Sequence, residues 1–397
     1  MDLNVYKFGG ASIKDAENIT NVGNILASDT SGKLLCVVSA TGKTTNALEK
    51  VVDSYVSGKG DEADLLHELK TSHLNVAKAS GVYSDEGLSD IMDSFVEIDW
   101  VIEDIPQDPY DYIYDQIVSV GEIVSSKILY YHLKFKGLNV VWMDIRDVLF
   151  TDEIHREAKV NWDISQPKIK TKISKLLNSH DVIITQGFIG STQENHTTTL
   201  GREGSDYTAA ILSYSTDAKS MHIWKDVPGV LTGDPRLFDN PFKLEKLSYR
   251  EAIEMTYYGA KVIHPKTIKP LQNKNIPMYV RPFNDVHNIG TIITNAEDES
   301  YPPIIVIAKN QAMINVGVSD FSFVAEHHLS DIFKRLAKLR IKVNLMRNTA
   351  ISFTMCVDND SAKIKALEEE IPSDFNISIT RELELITIRH HLSLIHI

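Results

Sequence analysis

Cysteine is scarce in this chain: Cys36 and Cys356 are the two that occur in 397 residues, each inside an apolar run. Two such thiols build no disulfide framework, and a reducing compartment is expected. There is also no long basic run, and the formal net charge is −13. That balance argues against nucleic acid or an anionic membrane as the main partner, so an anionic substrate has to be caught by a few placed cations. No apolar stretch approaches the roughly 20 residues that a membrane span needs. The first strand-like run begins at Leu3, leaving no room for a signal peptide, and a cytoplasmic protein is expected. The sequon at Asn195 then has no glycosylation meaning. Internal repeats and low-complexity tracts are absent. Histidine pairs with the i, i+4 spacing of a helical metal site are lacking too, because His327-His328 and His390-His391 are adjacent and their side chains diverge. No metal held by the protein alone is expected.

What is present is enough apolar residue, 43% of the chain, to build more than one core. Short β-rich runs at 3–8, 34–39, 138–143, 181–185, 220–225 and 277–281 alternate with amphipathic stretches. Helices are predicted near 16–28, 45–57, 61–79, 86–103, 111–135, 166–178, 205–214, 248–257 and 265–274. This is the pattern of an α/β fold, a mainly parallel sheet between helix layers. Ligands of such sheets bind at the carboxyl ends of the strands, so Gly9, Ser39, Gly187 and Asp226 are expected to face one crevice.

The register changes at 295–303, a linker-like stretch ending in two prolines. The order beyond it is strand 312–318, helix 329–339, strands 342–345 and 351–357, helix 361–370 and strand 376–380. That βαββαβ order is ferredoxin-like, a module that senses ligands or pairs with a copy of itself. Two domains are therefore predicted, 1–297 and 303–397. The apolar tail 390–397 suits burial along a partner's sheet edge.

The most informative segment is Leu200-Gly201-Arg202-Glu203-Gly204-Ser205-Asp206, which ends a Thr-rich loop and opens a helix. A cation beside glycines and a helix N-terminus holds carboxylate or phosphate, and Asp206 organises the charge around it. Lys7-Phe8-Gly9-Gly10 repeats the style at the end of the first strand. Lys7 by itself reads equally as a surface lysine beside a tight turn. The loop Ser39-Ala40-Thr41-Gly42-Lys43-Thr44-Thr45-Asn46 is not a Walker motif, because Val37 stands where its first glycine belongs. It reads as a hydroxyl-rich turn, with Thr44 and Asn46 explained by helix capping and other side chains open to a small substrate. Glu122 interrupts an apolar helix. It is either a solvated face residue or the acceptor for a substrate ammonium group, and Gly121 beside it, by admitting a ligand or a second backbone, favours the latter. A basic site for carboxylate at Arg202 and an acidic one for amine at Glu122 together describe an amino acid.

Lys7 to Ser12, Ser39 to Asn46, Gly121-Glu122, Thr185 to Gly190, Leu200 to Tyr207, Asp226-Val227-Pro228-Gly229 to Asp234-Pro235-Arg236, and Gly259-Ala260-Lys261-Val262-Ile263-His264-Pro265 together resemble aspartate kinase, in order over residues 3–295. The resemblance implies the amino acid kinase fold with C-terminal ACT modules, and transfer of the γ-phosphoryl group of MgATP to the side-chain carboxylate of L-aspartate. In this reading Lys7 and Asp206 are catalytic. Ser39, Thr45, Glu122, Arg202 and Ser205 hold aspartate. Lys7, Gly9, Gly10, Asp226, Leu231, Arg236 and Lys261 serve the nucleotide. ATP and Mg2+ are the implied cofactors, lysine or threonine the implied effectors, and a homodimer through the ACT-like region the implied assembly. The rivals are a same-fold kinase acting on glutamate, N-acetylglutamate or a nucleotide, and a catalytically silent amino-acid sensor.

The chain departs from the family pattern at Ala11, where a threonine is common, at Leu231, where an aromatic ring often meets the nucleotide, and at Glu203, where a second glycine is usual. Pointing outward, Glu203 has little effect; pointing inward, it is expected to compete with substrate for Arg202. The C-terminus supplies about one ACT module plus a further strand over 383–389.

Overall fold

The computed structural model describes residues 2–29, 32–260, 263–295, 301–318, 326–371 and 375–391. Two compact units emerge: Met1–Val230 with Lys243–Ala252 and Ile263–Asp298, and Leu231–Phe242 with Ile253–Val262 and Glu299–Ile397. Two excursions from the first stretch, 231–242 and 253–262, thus group with the C-terminal unit.

In chain order the elements before 300 are β1 (Leu3–Phe8), α1 (Ala16–Ser28), β2 (Lys33–Val38), α2 (Thr44–Ser57), α3 (Glu62–Ala79), α4 (Asp85–Asp93), α5 (Val96–Glu103), α6 (Tyr110–Val118), α7 (Val120–Phe135) and β3 (Val140–Met143). They continue with α8 (Trp162–Leu177), β4 (Val182–Gln186), β5 (Ile189–Ser191), β6 (Thr197–Thr199), α9 (Gly204–Ser215), β7 (Ser220–Lys225), β8 (Lys246–Ser248), α10 (Tyr249–Tyr257), α11 (Pro265–Lys274), β9 (Met278–Pro282) and β10 (Thr291–Thr294). Eight strands form one sheet in the order β3-β4-β2-β1-β7-β9-β10-β8, parallel throughout except for the β10–β9 pair. β1 lies at its centre and is buried at every position, as expected of a strand covered on both faces. Phe8 stacks on Trp224 of β7 at 6.0 Å within a core that includes Val38, Leu48, Val51 and Ile117.

The predicted helices 86–103 and 111–135 each divide in two. Both divisions fall at a serine whose hydroxyl bonds back onto its own helix, Ser94 to the Asp90 carbonyl and Ser119 to the Gln116 carbonyl. Such back-bonding bends a helix. The expected capping of α2 by Thr44 or Asn46 is also corrected. Its N-cap is Lys43 without a side-chain bond, and the Thr44 hydroxyl turns inward to the Thr41 carbonyl and His73. Strands of three or four residues, β5, β6, β8 and β10, were beyond reach of any alternation pattern.

The second unit is built on β11 (Ile304–Val318), α12 (Glu326–Lys338), β12 (Val343–Asn348), β13 (Ser352–Asp358), α13 (Ser361–Glu370) and β14 (Phe375–Arg389). The antiparallel order β12-β13-β11-β14 is ferredoxin-like. Ala312, Ile314 and Val316 alternate inward with Phe353, Met355 and Val357 beneath Ile332, Leu336, Ile364 and Leu367. The strands read at 376–380 and 383–389 are one, β14, which follows β11 past a register shift between Ala308 and Gln311. Residues 392–397 of the tail lie outside the described residues. No helix among the described residues is long and apolar enough to cross a membrane.

Candidate active site

Parallel register brings four strand ends into one line. Phe8 is level with Val38 and with Trp224, and Val38 is level with Gln186. The next row is therefore Gly9, Ser39, Gly187 and Lys225, and the Ser39 and Gly187 amides donate to the Phe8 and Val38 carbonyls at 3.1 and 2.9 Å. Gly9, Ser39 and Gly187 thus share an edge, as read from the sequence. The β7 member of the row is Lys225; Asp226 lies one residue further and is exposed.

Lys225 was not among the candidate residues, yet strand alternation assigns it a role. It shares a face with Ile223, and Ile223 is level with Lys7. Both lysines meet Asp206 on the first turn of α9. Lys7 Nζ lies 2.6 Å from Oδ1 and Lys225 Nζ 3.7 Å from Oδ2, with Asp206 2% exposed and Lys7 8%. Burial pushes the Asp206 carboxyl up, but the two lysines outweigh it and hold the group below the usual carboxylate range. A charge-assisted cluster of this kind at the end of a central strand leaves an excess of positive charge for an incoming anion. Gly9 sits beneath it, with Lys7 Nζ 3.6 Å from the point a Cβ would occupy.

The approach of α9 to the sheet requires the glycine at 187. A Cβ there would stand 2.5 Å from the Ser205 Cβ. Ser205 is consequently buried against the β4 end, at the amide-rich start of the helix. Arg202 is exposed on the turn just before it.

Glu203 is the N-cap of α9 and adopts φ +54°, ψ +28°, a left-handed conformation that glycine or asparagine takes more readily. Its side chain turns inward: Oε2 is shut off from solvent and accepts no hydrogen bond from any described residue. Burial raises its carboxyl, with the Asp206 charge adding to the push and Lys225, Arg202 and Lys7 opposing it.

The 39–46 loop is held against α7. Thr41 donates to the Ser125 hydroxyl through both amide and hydroxyl at 2.8 Å, and Ser125 in turn donates to the Gly121 carbonyl. Gly121 does not open space for a ligand, as the sequence suggested. A Cβ there would meet Thr44 at 2.9 Å and Leu48 at 3.1 Å, so the glycine serves helix packing. Glu122 next to it is 4% exposed rather than a solvated face residue. Its carboxyl is pushed up to about 8 by burial, against the pull of the Ala40 amide and the Lys7 charge, and its Oε2 has no hydrogen-bond partner. Ser39 and Thr45 are half-buried along the same loop.

A second omission from the sequence reading is Asp115 of α6, which is fully buried. It accepts from the Thr199 hydroxyl at 2.6 Å, the Thr199 amide at 3.1 Å, the Arg156 amide at 3.0 Å and His155 Nδ1 at 2.8 Å. These bonds fix β6 immediately before the Leu200-Gly201-Arg202 turn. The sequence gives little signal for it, because Asp115 follows Asp111 by one helical turn and precedes Gln116.

Among the nucleotide candidates, Leu231 and Arg236 fall in the second unit. Arg236 is exposed and forms a forked pair with Asp234, Nη2 to Oδ2 at 2.7 Å. Lys261 lies outside the described residues.

The sequence profile of the amino acid kinase family matches residues 2–282. The lysine-sensitive aspartokinase 3 of Escherichia coli (strain K12) is 28% identical over 98% of this chain and 87% of its own. The chloroplastic bifunctional aspartokinase/homoserine dehydrogenase 2 of Arabidopsis thaliana is 30% identical over 94% of this chain, which spans 42% of that protein. Crystal structures of E. coli aspartokinase III superpose with TM-scores of 0.86 for the R-state complex with aspartate and ADP and 0.79 for the T-state complex with lysine and aspartate. Identities are 27% and 26%, each over 98% of this chain and 87% of the other.

Proposed function

The chain belongs to the amino acid kinase family, and from that premise we propose that it is an aspartate kinase, transferring the γ-phosphoryl group of ATP to the side-chain carboxylate of L-aspartate to give 4-phospho-L-aspartate. The observation that supports this best is the buried Lys7–Asp206–Lys225 cluster at the carboxyl edge of a parallel sheet, with Arg202 and Ser205 at the start of the same helix.

The chemistry asks for little beyond positioning and charge. Aspartate's side chain is already an anion, so the enzyme needs no strong base; the difficulty is bringing two anions together. Lys7 neutralises the moving phosphoryl group, and Asp206 holds Lys7 and Lys225 apart at fixed positions. Gly9 lets the backbone approach the phosphates, whereas the glycine at 10 makes room for the 39–46 loop, since a Cβ there would stand 2.5 Å from the Ala40 carbonyl oxygen. Arg202 forks onto a substrate carboxylate, a geometry lysine does not reproduce. Glu122 receives the substrate ammonium, and Ser39, Thr45 and Ser205 complete the aspartate pocket. Asp226, one residue beyond the strand-end row, serves the nucleotide. Among the described residues no three His, Cys, Asp or Glu side chains gather into an all-protein metal cage. Mg2+ would arrive on the phosphates and be held there chiefly by phosphate and water, since both Asp206 oxygens already face lysines. Bound in this way, it offsets charge on the transferring group.

The ferredoxin-like unit is assigned to effector binding and homodimer formation, with lysine the first effector to test because the E. coli relative was crystallised with it. Trapping the acyl phosphate with hydroxylamine tests the main reading. Aspartyl hydroxamate is the expected product; glutamyl hydroxamate, or no product with ATP bound, favours another kinase or a silent sensor.

A further inference from the structure

We infer that Asp115 of α6 is a positioning residue for Arg202: its buried carboxylate ties together the two backbone segments that hold the Arg202 turn. This rests on the aspartate-binding reading of Arg202 above and adds to it the device that aims the side chain.

Arg202 is exposed, so its aim is set by the backbone that carries it. That backbone has two neighbours. On one side β6 runs directly into the turn, and the Thr199 hydroxyl and amide both donate to Asp115. On the other side lies the 155–157 segment, where the Arg156 carbonyl oxygen and Glu157 Cγ stand 3.1 and 3.3 Å from the point a Gly201 Cβ would occupy. The same carboxylate holds this segment, through the Arg156 amide and His155 Nδ1. The Ala158 amide then donates to the Thr199 carbonyl at 3.0 Å, joining the two segments to each other.

Four donors thus converge on one fully buried carboxylate, a demand that an acceptor-only group meets. An amide of the same shape keeps one acceptor oxygen and turns an NH2 toward donors. The rest of β6 is also gripped. Gln116 donates to the Thr197 carbonyl at 2.9 Å and Arg146 to the Thr197 hydroxyl at 3.2 Å, while Thr198 shares a hydrogen bond with Thr151 at 2.7 Å. The Arg156 guanidinium lies 4.3 Å from the centre of the Tyr114 ring, one residue before Asp115. Helix α6 therefore anchors both segments, and the threonine run ahead of the turn is a support for Arg202.

The test follows hydroxylamine-trapped product in the full chain for Asp115→Asn, Thr199→Val and Thr199→Ser, each alone and combined with Arg202→Ala. Asp115→Asn is expected to lower kcat/KM for aspartate by roughly tenfold to a hundredfold, the scale of a contact misplaced by about 1 Å. The loss should fall on KM for aspartate, with kcat within about threefold and KM for ATP within about twofold. Thr199→Val leaves the carboxylate in place and should act in the same direction by a smaller factor; Thr199→Ser, which keeps the hydroxyl, should restore the unaltered value. In the Arg202→Ala background the same substitutions should change kcat/KM by less than about twofold, because the residue through which they act is gone. A general loss of packing would instead weaken both substrates in either background. Independent, multiplying effects of Asp115→Asn and Arg202→Ala overturn the inference, as does an equal rise in KM for ATP. Should Asp115→Asn fail to fold, the Thr199 pair decides alone, and an aspartate KM unmoved by Thr199→Val overturns it. An unaltered protein that forms no aspartyl hydroxamate overturns the aspartate reading and this inference with it; multiplying effects in a protein that does form it overturn this inference alone.

Discussion

Lys7 Nζ and Asp206 Oδ1 stand 2.6 Å apart, joining the central strand of the sheet to the first turn of α9. The pair is almost wholly buried, and Lys225 approaches the other carboxylate oxygen at 3.7 Å. A carboxylate that takes two lysines in this way fixes both and leaves net positive charge facing the strand ends.

Asp206→Asn should be the most damaging single substitution at the site. Removing one member of a buried ion pair strands the others, at a cost of about 3–5 kcal/mol. Chemical denaturation is expected to show that loss, and turnover should fall with it even under conditions where the variant is folded. Unchanged stability would mean that the lysines do not depend on Asp206.

Arg202 is exposed and free of the packing constraints that hold Asp206, so its replacement tests binding rather than folding. Arg202→Lys keeps the charge but loses the fork. Aspartate affinity should drop by roughly 10-fold to 100-fold, the worth of one charge-assisted hydrogen bond, while ATP affinity stays the same. Equal weakening of both ligands in a titration would remove Arg202 from the aspartate pocket.

Glu122 gives a proton signal. Its folded-state carboxyl is pushed up to about 8 from an ordinary value of 4.5, so the folded chain binds this proton better than the unfolded one. The stability it contributes is therefore full below about pH 4.5 and is lost as pH rises through about 8. Glu122→Gln should flatten the fall of Tm across that window. If Glu122 accepts the substrate ammonium, aspartate binding near pH 7 should expel a proton, and calorimetry in buffers of different ionisation enthalpy should count close to one. A count near zero would place the ammonium elsewhere.

Much of this site could be read from residue order because the strand-end chemistry is local. Lys7-Phe8-Gly9-Gly10 and Arg202 to Asp206 each pack a cation, glycines and a turn into one short run, and β1, β2, β4 and β7 lie where their apolar runs placed them. What escaped depended on register or on a distant partner. Lys225 became visible only when β7 was set beside β1, which put Ile223 level with Lys7. Asp115 binds Thr199, and no local pattern links residues that far apart. Gly121 was misread for the opposite reason: a glycine beside a carboxylate looks the same whether the space it leaves takes a ligand or, as here, Thr44.

The account stands on Lys7 neutralising the phosphoryl group in transit, which makes Lys7→Met the most direct test. Kinetics with MgATP and L-aspartate, alongside calorimetric binding of aspartate, should show kcat reduced by about 10²–10³-fold, the usual loss on removing one preorganised electrostatic contact. Aspartate affinity should stay within about threefold of the unaltered protein, since the lysine acts on the group being transferred. Turnover that survives Lys7→Met would contradict the central claim, as would a variant that keeps its kcat and loses aspartate instead.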